Sequence, residues 1–338
     1  MPDVSTPVTR PAPAPAPAPA PVAATTTIAD AVARLGALHL PIGAPALTAE
    51  NVSSFRAVPD YTVLGDSLAL LKELPGRWFG EGFNIIARPD FQGHNDIFLE
   101  LNLTRETLDF FAIGSPIPNR GSGQNDISLF GVHYLQQISD ATTGGALHIE
   151  PGIWLNIPAT TDPPAAATVA RLATIPHGDA MNAQGKGLSV SGGPVIAPAN
   201  TVPFPIGGTP PATGTANGFP EYNLGAPNAF RTSPVPAGIT QAMITNPNSA
   251  LTAALVGLTV TNTGVLDVST SPSGGVENIP FVVNNANAAS VSSTFWIETV
   301  QDANGGSFMQ LQYTQTVLLN FLGLSWPHVS VATLIKTF

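Results

Sequence analysis

Histidine offers this chain the most chemistry, because an imidazole changes charge near neutral pH and ligates metals. The six histidines are His39, His94, His133, His148, His177 and His328. His328 opens the strand-like run "HVSVATLIKTF". With a period of two, Ser330, Ala332 and Leu334 fall on its side, and Val329, Val331, Thr333 and Ile335 on the other. Two small residues beside an imidazole leave room for something the chain does not itself supply. The plainer account of the same residue is a core histidine with a satisfied hydrogen bond.

His148 and Glu150 in "ALHIEPGIW" share a strand side, so the carboxylate can orient the imidazole, and a salt-linked pair at a barrel mouth is the alternative. His177 in "TIPHGDAM" sits two residues before Asp179 at a strand end, an acid–base pair for an oxygen-bearing ligand or an ordinary loop pair. His133 in "FGVHYLQ" is a further candidate for a cavity-facing side chain, whereas His39 and His94 have surface or loop surroundings. Asp90, His94 and Asp96 in "DFQGHND" read as a turn first and a metal site second.

"GRWFGEGFN" sets Gly76, Trp78, Gly80 and Gly82 on one side of a strand. Three glycines around a tryptophan permit strong curvature or the close approach of a flat group. A curved strand with Trp78 as a core plug is the competing account. Phosphate binding is disfavoured, because no strand–turn–helix unit follows.

These residues need a scaffold. The chain has 338 residues with 10% charged, 32 Gly and 34 Pro, a composition that favours many short strands and turns. "DIFLELNLT" alternates, with Ile97, Leu99, Leu101 and Leu103 on one side and Glu100 and Asn102 on the other. Similar runs are "TLDFFAIG", "DISLFGVHYLQQI", "ALHIEPGIWLNI", "TVARLATI", "GVLDVST", "TFWIETV", "FMQLQYTQTVLLNF" and the terminal run. About ten strands in succession predict an all-β fold, an antiparallel up-and-down barrel that removes exposed edges. The barrel is expected over 74–338, with a Pro/Gly-rich insertion at about 188–248 covering one opening and a short helix near Ser249–Val256. Residues 1–25, with alternating Pro and Ala over 11–21, are expected to form a disordered tail. The segment 26–73 is expected to hold a short helix from Ile28 to Leu38 and a connection.

The formal charge of −10 disfavours nucleic acid and anionic membranes as partners. No apolar run approaches the roughly 20 residues a spanning helix needs, and the N-terminus lacks a leader pattern, so no membrane insertion and a cytoplasmic location are expected. With no cysteine, disulfides, thiolate ligands and covalently attached haem are excluded. Any metal takes His, carboxylate or a bound cofactor.

The G-x-W-x-G-x-G strand together with the Pro-His opening of "VSVATLIK" resembles the nitrobindin family, β-barrels related to fatty-acid-binding proteins. His148, Glu150 and Gly152 match that family's His-x-Glu-x-Gly segment. The resemblance implies haem b as cofactor, with iron ligated by His328 and the cofactor flanked by Gly76, Trp78, Gly80, Gly82, Ser330 and Ala332. It further implies binding of nitric oxide or oxygen species, peroxynitrite isomerisation, or peroxidase or peroxygenase turnover, with His177, His148 and Glu150 as candidate catalytic residues. The chain departs from the family in length, in its insertion and in "IPHGDAMNAQG", where a short Gln-Pro-Thr-Gly turn is usual. The competing function is a haem-free, lipocalin-like barrel for a small hydrophobic metabolite, and a third is a structural module with a filled core. A small-molecule partner and a monomer or homodimer complete the expectations.

Overall fold

The computed structural model describes residues 61–214, 218–302 and 305–337, with side chains from Leu64 onward. The tail 1–25, the helix expected from Ile28 to Leu38 and His39 lie outside these residues. Ten strands close into an antiparallel barrel: β1 (Gly76–Asp90), β2 (Asn95–Ala112), β3 (Ile127–Asp140), β4 (Ala146–Ile157), β5 (Thr168–Ile175), β6 (Asp179–Ser191), β7 (Thr259–Asn278), β8 (Asn287–Gln301), β9 (Ser307–Phe321) and β10 (Leu324–Lys336). Each pairs with its sequence neighbour, and β10 returns to pair with β1, from Trp78 opposite Lys336 to Ile85 opposite Val329. The expected all-β barrel is therefore present.

The seam explains the glycines. A Cβ on Gly80 would lie 2.1 Å from the Thr333 carbonyl oxygen, and one on Gly82 would lie 2.3 Å from that of Val331. Their missing side chains let β1 lie tightly against β10, and protein atoms occupy that space.

One end of the barrel is plugged. A helix, α1 (Tyr61–Leu68), and a 3-10 turn (Ala69–Glu73) put Leu64, Leu68, Leu71 and Leu74 into the barrel against Trp78, Phe110, Trp154 and Leu311. Trp78 is fully buried and its indole N–H donates to the Leu74 carbonyl at 2.8 Å. Trp78 is thus the core plug, as the plainer account had it.

The strands of β6 and β7 are joined by residues 192–258, so the insertion starts and ends later than the composition suggested. It covers the wall of the barrel and not an opening. Tyr222 and the short helices α2 (Gln241–Thr245) and α3 (Asn248–Ala254) bring Tyr222, Ile244 and Leu251 onto Phe83, Ile85, Leu99, Leu101, Trp296, Val329 and Val331. Leu99 exchanges backbone hydrogen bonds with Phe230 and Thr232, which pins the segment to β2. Because this wall is covered, the alternation in β2 runs opposite to its simplest interpretation: Ile97, Leu99 and Leu101 face outward beneath the insertion, while Asn102, Thr104 and Glu106 face the barrel interior. No helix among the described residues is long and apolar enough to cross a membrane.

Candidate functional site at the open end of the barrel

The interior changes character halfway along. Beyond the apolar plug lies a layer of polar side chains, each carried on the inward parity of its strand. Glu150 of β4 accepts from Tyr134 of β3 through a short hydrogen bond and from Arg171 of β5 at 2.6 Å. Arg171 also donates to the Tyr134 hydroxyl (2.9 Å), Ser293 (3.0 Å) and Gln315 (2.6 Å), and its guanidinium lies among the rings of Tyr134, Trp154 and Phe295. Burial pushes the Glu150 carboxyl up, yet Arg171, His148 and Tyr134 outweigh it and bring it down to about 2. Beside this ion pair, Glu106 accepts from Tyr313 (2.6 Å), Thr104 (2.8 Å) and Gln136 (3.3 Å). With no cation bonded to it, burial dominates and its pKa rises.

Above the polar layer three histidines converge from separate parts of the chain. His328 of β10 is half-buried, and its Nε2 accepts from the Asn84 amide at 3.0 Å. Asn84 also donates to Ser330 at 2.8 Å and accepts from Asn102 at 3.3 Å, so a side-chain chain across β2, β1 and β10 fixes the ring. Burial, followed by the positive charges that His148 and His177 can carry, lowers His328 to about 3. It is a neutral imidazole across the physiological range. His148 is half-buried, with Nε2 3.3 Å from Glu150, and its ring centroid lies 6.2 Å from that of the exposed His177. His177 sits in the β5–β6 turn, where Gly178 adopts a φ of 113° and leaves space filled by Ile279.

The structure therefore unites His148, Glu150, His177, His328 and Ser330 at one end. It does not bring Trp78, Gly76 and Gly80 to them. Trp78 and Asn84 are six residues apart on β1, roughly 20 Å at about 3.3 Å per residue, and Trp78 belongs to the plug. Ser330 and Ala332 leave no slot, since Asn84 occupies the space beside Ser330 and Ala332 is fully buried in the core. His133 faces out of the barrel and stacks on the exposed Phe111 at 5.1 Å, so it does not line the interior. His94 is exposed in the β1–β2 turn. Asn84, Glu106, Tyr134, Arg171 and Tyr313 were not singled out by spacing. Arg171 had a signal, being a charge on the apolar side of "TVARLATI" between Val169 and Ala173.

A concavity of about 660 Å³ is lined by β3–β7 from both parities, with inward Tyr134 and Met181 beside outward His133 and Ile153, and another of about 290 Å³ lies on the wall between β1, β10 and the helices α2 and α3. Among the described residues no group of three or more His, Asp or Glu gathers closely enough to hold a metal ion.

No family model matches the chain, and no curated protein matches it. Among solved structures the chain is similar to the crystal structure of Rv2717c from M. tuberculosis, with 14% identity and a TM-score of 0.40, covering 80% of this chain and 98% of that one.

Proposed function

We propose that this barrel is a nitrobindin-like protein that binds haem b at its open end, with His328 as the protein ligand to iron. The observation that carries the reading is the convergence of His328, His148 and His177 at one end of the barrel, His328 being neutral and held by Asn84. The donor chemistry fits. A single neutral imidazole is what a haem iron takes from the protein, and no cluster of three ligands is needed. His328 would hold the iron through Nε2, the atom that accepts from Asn84 here, and Asn84 would keep its hydrogen bond to Ser330. Haem held in this way would supply an iron able to bind nitric oxide, oxygen species, peroxide or peroxynitrite.

The chain's own residues supply the remainder. Glu150, fixed by Arg171 and Tyr134, orients His148 through Nε2. His177, exposed beside it, can exchange protons with solvent and pass them to a ligand in the mouth. The haem-free carrier draws no support from an interior occupied by the fully buried Trp78, Trp154, Arg171, Tyr313, Phe110 and Phe295.

The test is titration of purified full-length protein with haemin while recording the visible spectrum, for wild type and His328→Ala. The expected result is a Soret band shifted from that of free haemin in wild type and lost or displaced in the variant. Identical spectra for both proteins would remove His328 as ligand.

A further inference from the structure

We infer that Asp179 and Asn278 form a paired acceptor site at the barrel mouth that binds the ammonium head of a small organic cation. The inference does not depend on haem. Asp179 is the first residue of β6 and Asn278 the last of β7, and they lie directly opposite each other in the ladder. Side chains of such a pair share one side with Cβ atoms about 5 Å apart. By parity with Met181 and Val276, both face inward.

Asp179 is nine-tenths buried, and its Oδ1 is shielded from solvent with no hydrogen-bond partner. Asn278 has its amide nitrogen engaged with the Ala288 carbonyl at 3.0 Å, which leaves its Oδ1 as a second buried acceptor without a donor. Buried acceptors left unpaired are costly, and buried polar groups in folded proteins almost always find a donor. Two unpaired oxygens on directly opposed residues, one of them a carboxylate, suit a group with several N–H donors and a positive charge. Burial raises the Asp179 pKa against the opposing influence of His177.

A bare calcium or magnesium ion fits poorly, since either takes six or more oxygens. The exposed Ile279, Phe281 and Val283 follow Asn278 in the chain and give the same rim apolar surface for the body of such a cation. The substrate class is therefore an alkylammonium and not a neutral alcohol of the same shape.

The experiment measures binding of n-hexylammonium chloride and of n-hexanol to the full chain by ligand-observed NMR. Asp179→Asn is the informative variant, because it removes an uncompensated buried charge and should leave folding intact, which circular dichroism checks. The expected result is that wild type binds the ammonium about ten- to hundredfold more tightly than either the alcohol competes or the variant binds, the range of a charge-assisted hydrogen bond. Equal affinity of folded Asp179→Asn, equal affinity for hexanol, or no binding of hexylammonium to wild type would overturn it. None of these outcomes bears on the His328 spectrum, so the two proposals fail separately.

Discussion

Glu298 of β8 is fully buried on the outer wall, where Oε2 accepts from Gln310 at 2.6 Å and Oε1 has no partner. Burial raises its pKa to about 7 against the lowering effect of Gln310. An acid whose folded pKa lies above its unfolded one binds the proton more firmly when folded. Its contribution to stability is therefore present below about pH 4.5 and lost as pH rises through about 7. His328 slopes the other way, since its lowered pKa costs stability as pH falls from 6.5 towards 3. Comparison with Glu298→Gln cancels that common background. The expected outcome, from urea midpoints between pH 5 and 8, is a wild type that loses up to about 3 kcal/mol relative to the variant as pH rises. Parallel curves would show that Glu298 is not a titrating buried carboxyl. At this scale the histidines were the legible part of the site, because residue type alone marks them. Glu150 was legible as well, two residues from His148 on one strand, whereas Glu106, Asn84 and Tyr313 were not, because they meet only through strands far apart in sequence and spacing along one strand says nothing of what stands across the barrel.

Among elements, the β1–β10 seam shows what a glycine-rich strand is for. A methyl group at Gly80 would stand 2.1 Å from the Thr333 carbonyl oxygen and 2.8 Å from the Leu334 Cα, both backbone atoms that move only if the ladder opens. Gly80→Ala is expected to cost about 1–3 kcal/mol or more in chemical denaturation and to speed amide exchange along Val331–Leu334. Gly187→Ala serves as control, since its nearest atoms are side-chain carbons at 3.4 Å and the effect should be small. Strand alternation was enough to place most of the barrel, and it gave β3, β4 and β10 nearly whole, while the single strand β2 read as two runs, "DIFLELNLT" and "TLDFFAIG". It missed β6, "DAMNAQGKGLSVS", because the strand is built from small inward residues and exposed polar ones. Ala183 faces inward and Gly185 must be bare, a Cβ there lying 1.8 Å from the Asp267 carbonyl oxygen. Crowding against β7, and not β-propensity, sets that composition. For β2 alternation left interior and exterior open for a related reason: it reports which side is covered, not whether the cover is the barrel lumen or another segment.

Across the whole molecule, the insertion decides which surfaces count as core. The described wall under it carries Phe83, Ile85, Leu99, Leu101, Val329 and Val331, each at most 1% exposed. Burial of one such side chain stabilises by about 1.5–3 kcal/mol, so the outer cluster contributes as a second core alongside the plug. The two ends of the insertion are adjacent, since the Gly192 amide donates to the Thr261 carbonyl at 2.9 Å. Replacing 194–256 by a short Gly-Ser turn therefore leaves the barrel ladder connected while stripping its cover. The expected product keeps a β-rich circular dichroism spectrum but binds an apolar dye and runs as oligomers on size exclusion, because a contiguous apolar wall of this kind seeks a partner. Adding charged residues at Ile85, Leu99 and Val329 should suppress that association. If the shortened chain is instead monodisperse, dye-free and as heat-stable as wild type, the wall is not a core, and the insertion is an accessory to a barrel that stands by itself.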